Sequence, residues 1–339
     1  MGRGTSCLLI VFVLSIAAAS PSSAQWKDQG PVFTVIEEND LFLDTDRHYT
    51  QGFKQSFLHT DGYLPGWAQW ISEHIPVRGF DLDTHKFGYQ MGQSIFTPTD
   101  LRATQLLKDD RPYAGWLYTG VILQRRGMLH DRWPVLENFQ IDAGIIGRHS
   151  MAEEAQIGIH EWRGFDSPKG WRNQIHDEPG IALKYERSWI FSPTRDGPRW
   201  IDLIPRAGLS LGNVDTSFRI GAMLRLGVNL PNDFGVETIS SLTTPAGGRA
   251  PNHAGREWGF YVFGGGEAST VLYTAFLDGN LFRHSHHVEK EPFVGEWKAG
   301  AVAVLNLFEL GVTYAIRSPQ FVGQRKVDGY GSISAKIRF

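Results

Sequence analysis

The sequence predicts an all-β protein: a transmembrane antiparallel β-barrel of about twelve strands, with a short helix in one extracellular loop. Three observations predict it. The chain opens on an export leader but holds no apolar run long enough to cross a bilayer as a helix. Its last residues alternate strictly, with Ser332, Ser334, Lys336 and Arg338 set against Ile333, Ala335, Ile337 and Phe339. A period of two gives one polar and one apolar face. The same alternation recurs in internal stretches of about ten residues or more, long enough to cross a bilayer when tilted.

In chain order, Met1 to Ala24 is the leader. Arg3 supplies the positive end, Leu8 to Ala19 the short apolar stretch, and Ser22-Ser23-Ala24 the small residues before cleavage at Gln25. The only cysteine, Cys7, lies inside it, so the exported chain is expected to have none. That excludes disulfides, a thiolate nucleophile, a cysteine metal site and a lipoprotein anchor. Without Arg3 the balance is 32 basic against 36 acidic side chains, a net of −4, which offers nothing to nucleic acid. Residues 25–339 show no second shift of composition and read as a single barrel domain.

The strands are expected at 31–38, 50–59, 85–96, 113–124, 136–147, 180–191, 200–212, 215–229, 257–276, 292–304, 306–317 and 329–339. An even number suits a single-chain bacterial barrel. In the seventh, Ile201, Leu203, Ala207, Leu209 and Leu211 oppose Asp202, Arg206, Gly208 and Ser210. In the eighth, Phe218, Ile220, Leu224 and Leu226 oppose Arg219, Gly221 and Arg225, and in the eleventh Phe308, Leu310, Val312, Tyr314 and Ile316 oppose Glu309, Thr313 and Arg317. The apolar sets face lipid and the charged sets a polar lumen. The last strand, ending in Phe339, is expected to close the barrel and to be read by the barrel-assembly machinery.

With the N-terminus periplasmic, the connections 39–49, 97–112, 148–179, 213–214, 277–291 and 318–328 are extracellular. Two periplasmic connections, 60–84 and 230–256, are long for such turns. The first holds Leu64 to Val77, with Trp67, Trp70, Ile71 and Ile75, the pattern of a short amphipathic helix at the membrane edge. A barrel this small has a lumen filled by side chains or a plug, which argues against a general porin.

Polar chemistry gathers in the first three extracellular connections. Glu38-Asn39-Asp40 leads through Asp46-Arg47-His48-Tyr49 to Thr50-Gln51-Gly52, which alone reads as an Asx-rich solvated turn. Thr97-Pro98-Thr99-Asp100-Leu101-Arg102 is followed by Asp109-Asp110-Arg111-Pro112-Tyr113-Ala114-Gly115-Trp116. In Met151 to His160, which has helix formers and no proline, Gln156 and His160 stand four apart and share a helix face. Asp166 and Gly170-Trp171-Arg172-Asn173-Gln174 come next.

Together these ordered motifs, over roughly 38–187, resemble the outer-membrane lipid A 3′-O-deacylases. The resemblance implies a twelve-stranded barrel with its site near the outer-leaflet rim, between barrel wall and an extracellular helix. It implies calcium-dependent hydrolysis of an ester that releases the 3′-acyloxyacyl group of lipid A, in the lipopolysaccharide of the bacterial outer membrane. Asn39 and Asp40 match the family's paired Asn-Asp, Thr50 its hydroxyl residue, and Gln156 and His160 its helical pair. Asp166 falls where the family can have glutamate, and Leu101-Arg102-Ala103 stands where it can show Lys-Arg.

The residue types suit such chemistry. His160 can take a proton from water, and a hard cation such as Ca²⁺, held by oxygen ligands, can polarise the carbonyl. Asp40 is the first metal ligand expected and Asp166 the second. Asn39, Thr50 and Gln156 orient water, histidine or substrate. Arg102, Lys108 and Arg111 are expected to meet lipid A phosphates, although Arg111 equally suits a structural pair with Asp109 or Asp110. No Gly-X-Ser-X-Gly elbow is present. The alternatives are an outer-membrane phospholipase using the same chemistry, a non-catalytic small barrel for binding or adhesion, and a narrow channel.

Overall fold

Strands pair in chain order and close on themselves in a computed structural model that describes residues 30–40, 47–194, 199–239 and 258–339. The expected leader, Asp46 and most of the expected second long periplasmic connection lie outside the described residues. The strands are β1 (Val32–Asn39), β2 (His48–Leu58), β3 (Asp81–Thr97), β4 (Ala114–Leu129), β5 (Trp133–Ile146) and β6 (Glu178–Trp189). They continue as β7 (Ile201–Gly212), β8 (Asp215–Val228), β9 (Trp258–Thr274), β10 (Phe293–Leu305), β11 (Phe308–Arg317) and β12 (Asp328–Arg338). β1 closes the barrel antiparallel to β12, with Val32 opposite Arg338 and Asn39 opposite Gly331. The fold is the closed twelve-stranded antiparallel barrel that the alternation predicts.

β11 displays the principle most simply. Phe308, Leu310, Val312, Tyr314 and Ile316 are exposed on the outer face, and the residues between them are buried in the lumen. Reversing this register by one residue would put Glu309 and Arg317 into lipid, which is why register is strongly specified here.

Three strands reach further toward the periplasm than expected. β3 starts at Asp81, β4 ends at Leu129 and β5 starts at Trp133. The extra length holds helix α1 (Gly66–His74). The Arg125 guanidinium donates to Glu137 at 2.6 Å and to the Ile75 carbonyl at 2.6 Å, so it satisfies a group at the end of α1 that the helix itself leaves open. Ala68 and Ser72 face inward, while Trp67 and Trp70 are exposed at the membrane edge, as an amphipathic interfacial helix requires.

The lumen is filled. Beyond β8 the chain turns back inside the barrel instead of staying in the periplasm. Leu230, Phe234 and Val236 pack with Leu136, Ile204, Met223, Tyr261 and Phe263. Asp233 is ion-paired to Arg225, which also holds Asp202 at 2.8 Å. Higher up, Glu237 meets Lys54 at 2.7 Å, Thr238 meets Lys298 at 2.7 Å, and the Ile239 amide donates to Glu38 at 2.8 Å. Residues 230–239 therefore form an internal plug that climbs to the extracellular end of β1.

Candidate active site

Alternation along β1 turns Glu38 into the lumen, where Tyr49 Oη and the plug bind its carboxylate. Its neighbours Glu37 and Asn39 consequently point outward. Glu37 accepts from Gln51 Nε2 at 3.0 Å, so Gln51 on β2 shares that outer face. Between them a β-bulge interrupts the pairing of β2 with β3 at Tyr49 and Gln51. A bulge adds a residue and re-aims a side chain. Here Tyr49 stays inside while Thr50 reaches Thr97 Oγ1 at 2.7 Å. Thr97 lies on the same face of β3 as Ile95 and Gln93, both of which contact the segment that covers the wall from outside.

That segment contains α2 (Ala152–Arg163). Ala152 packs with Ile95, Tyr113 and Trp171 in a small cluster outside the barrel, and Gln93 Nε2 donates to the Ser150 carbonyl at 2.6 Å. Close approach depends on Gly115, where an added Cβ would lie 2.0 Å from Ser150 Oγ and 2.4 Å from Ala152 Cβ. At the far end of α2, Arg163 acts electrostatically on Glu37, so the helix reaches from β4 toward β1. Asn39 and Asp40 at the end of β1, Thr50 on β2, and Gln156 and His160 on α2 are all at least 95 % buried.

The two helical side chains are held in defined orientations. Gly164 ends α2 with φ +74°, a conformation that suits glycine. The turn lets the Phe165 amide donate to the His160 carbonyl and brings the Asp166 carbonyl within 2.8 Å of His160 Nδ1. A carbonyl only accepts, so Nδ1 carries the proton and Nε2 is the basic nitrogen of the neutral ring. Gln156 receives the Trp171 indole N–H on Oε1 at 2.9 Å. Its Nε2 is buried without a partner among the described residues.

The cation-binding expectation divides. Asp40 is buried and accepts the Arg47 amide at 2.6 Å, with Asn39 beside it in sequence. One carboxylate with amide and hydroxyl oxygens suits a hard cation that keeps water or substrate in its shell. No cluster of three His, Cys, Asp or Glu that could cage a metal is found among the described residues. Asp166 offers its carbonyl to His160, but its carboxylate is exposed and pairs with Arg102 at 2.8 Å.

The three expected phosphate contacts occupy different settings. Arg102 is exposed beside α2. Lys108 is exposed on the connection between β3 and β4 and lines a surface cavity with Arg47 and His48. Arg111 is fully buried, lies over the Phe96 ring at 4.7 Å and donates to Gln320 at 3.2 Å. Burial pushes its pKa down to about 10 in spite of Asp328 and Asp110 nearby. Its place is inside the wall, tying the second connection to the sixth.

Sequence reading missed Thr97 and the Glu37–Gln51 pair. Thr97 was visible only as the start of a Thr-Pro motif. Nothing in the sequence marked the outer side of β1 as a site, because a lipid-facing wall is expected to be apolar. The role of Trp171 was hidden in its motif and becomes plain only through its bond to Gln156.

The structure of LpxR from Salmonella typhimurium is similar over 91 % of this chain and 100 % of that one, at 19 % identity and a TM-score of 0.68. The β domain of the Bordetella autotransporter BrkA aligns with 91 % of this chain and 98 % of its own at 10 % identity, with a TM-score of 0.39. No curated protein matches. The model of the family described as outer membrane protein LpxR matches residues 8–339. The chain therefore belongs to the LpxR family of outer-membrane proteins.

Proposed function

We propose that the chain is a lipid A deacylase that hydrolyses the ester carrying the 3′-acyloxyacyl group. The observation that carries this reading is a buried histidine, fixed through Nδ1, on a helix laid against the outer wall. An ester in the outer leaflet approaches such a wall sideways without leaving the membrane. A catalyst in the lumen would be walled off from it by the barrel and its plug.

His160 Nε2 takes a proton from a water molecule as the water oxygen adds to the acyl carbonyl carbon. The buried amide of Gln156 donates to the oxyanion that forms. When the intermediate collapses, the bond between acyl carbon and sugar oxygen breaks. His160 then returns its proton to the departing sugar hydroxyl, leaving the fatty acid as a carboxylic acid. Thr50 and Asn39 orient the water and the ester. A Ca²⁺ ion held by Asp40 and neighbouring oxygens would supply further polarisation of the carbonyl. Arg102 is half of an exposed ion pair that contributes little to stability, so a lipid A phosphate can displace Asp166 from it.

Mass spectrometry of lipid A from cells expressing the protein tests the reading. Loss of the 3′-acyloxyacyl group is expected, and His160→Ala should lower the rate by about 10²- to 10⁴-fold while the barrel keeps its folded gel mobility. Unchanged lipid A with the protein folded in the outer membrane would sink the proposal. Hydrolysis of glycerophospholipid instead would reassign it as a phospholipase.

A further inference from the structure

Directly beyond the candidate site lies a second feature that the deacylation chemistry does not use. It is a surface cavity of about 440 Å³ between the first, second and sixth extracellular connections. Arg47, Lys108, Arg325 and Lys326 all line it, against Asp109 and Asp110. Lys108, Arg325 and Lys326 are exposed and make no ion pair with a described residue.

Two of the carboxylates close to these cations are already engaged, and the third, Asp109, is exposed. Asp328 accepts from His48 Nδ1 at 2.7 Å and from Gln324 Nε2 at 2.9 Å. Asp110 accepts the Thr99 amide at 2.7 Å and the Arg111 amide at 2.8 Å. His48, with φ +67° and almost no exposure, stands between these two acids and also contacts Thr99 Oγ1 at 3.1 Å. Asp110 and Asp328 thus hold three connections together, Arg47 lies 3.7 Å from Asp328, and the exposed Lys108, Arg325 and Lys326 outnumber Asp109 at the cavity.

Position decides what those cations meet. His48 and Thr99 are each two residues beyond the Thr50–Thr97 pair, on the extracellular side. At about 3.3 Å per residue, that sets the cavity farther from the membrane than the ester site by roughly the length of a sugar ring. Arg47 joins the two, since its amide binds Asp40 while its side chain lines the cavity.

We infer that this cavity is a subsite for the anionic saccharide attached to lipid A, gripped through its sugar-acid carboxylates or phosphates. The inference rests on the deacylase reading. A lipid whose ester lies against Asn39, Thr50 and His160 carries its saccharide outward along β2 and β3, into the reach of Arg325 and Lys326. Guanidinium and ammonium donors make charge-assisted hydrogen bonds to such groups.

Two water-soluble probes separate the sources of the anion. One is the oligosaccharide left after complete deacylation of lipopolysaccharide, and the other is the bisphosphorylated glucosamine disaccharide alone. Calorimetric titration of the detergent-solubilised full-length protein is expected to show about tenfold tighter binding of the first, as one or two charge-assisted bonds would give. Arg325→Glu with Lys326→Glu should abolish that preference and leave binding of the bare disaccharide unchanged, with Arg325→Gln as a milder variant and gel mobility as the check on folding. Equal affinity for the two probes, no binding of either, or an equal loss on both in the variant would overturn the subsite. Deacylation is assayed separately on lipid A without saccharide. Failure there removes the enzyme reading, whereas failure of the titration removes only the subsite.

Discussion

Gln156 and His160 lie one helical turn apart, and each is oriented by a group that follows it in the chain. Trp171 gives its indole N–H to the Gln156 carbonyl oxygen, and the Asp166 carbonyl takes the His160 Nδ1 proton. The first bond decides which end of the amide points into the site. With the indole in place, Nε2 is the end left to donate. Trp171→Phe keeps the ring packing against Tyr113 but removes the donor. The amide then has no reason to prefer one orientation, and an oxyanion would meet an oxygen about as often as a nitrogen. The expected result is a fall in kcat of about tenfold or more with little change in KM, since the lost contact belongs to the transition state. A proportional rise in KM with kcat intact would show instead that Gln156 only binds substrate.

α2 and the connections around it are placed by a few close contacts and not by a large core. Gly115→Val would drive a side chain into Ser150 and Ala152, and the helix must move because β4 is fixed on both sides by β3 and β5. Deacylation should drop about 10²-fold, as a misplacement of about 1 Å can produce, while the thermal transition of the barrel changes little. Asp110 ties the second connection to β2. Burial opposes its charge, but His48 and the Thr99 amide outweigh that and hold its carboxyl below the usual aspartate range. A depressed carboxyl stabilises the fold fully above its unfolded value near 4 and stops doing so as pH falls through its folded value. Hydrogen exchange at residues 99–111 should therefore stay slow at pH 5 and accelerate only in stronger acid. Asp110→Asn should accelerate it at neutral pH, for a local loss of about 1–2 kcal/mol. Sequence made the helical Gln-His pair legible because its spacing matches one turn, and the strands legible because alternation repeats every two residues. The bulge at Thr50 was not legible, since one extra residue leaves no mark on composition. Burial of His48 was hidden for another reason: its partner Asp328 comes from the distant end of the chain.

On the scale of the whole barrel, two faces of one sheet have been given opposite tasks. The outer face of β1, β2 and β3 carries the candidate site, and the inner face carries ion pairs that hold the plug. The plug escaped the sequence reading because the stretch from Leu230 has neither period, so nothing separated an internal segment from a periplasmic loop. Its anchoring is stringent. Arg225 is fully buried between Asp202 and Asp233, and Lys54 meets Glu237 in the middle of the lumen. Removing one member of such a buried set leaves a charge uncompensated, at a cost of about 3–5 kcal/mol. Asp233→Ala should accordingly lower the temperature at which the barrel unfolds on heat-modifiability gels. The plug also answers whether the barrel conducts. With 230–239 in place, apolar side chains from the plug meet Leu136, Ile204 and Tyr261 across the lumen, and the wild-type protein should show no steady conductance in planar bilayers. Deleting 232–237 and bridging the gap with a short Gly-Ser link should open a polar path and produce discrete current steps. Steady conductance of the intact protein would mean that the plug leaves in the membrane, and the narrow-channel reading would then regain its standing.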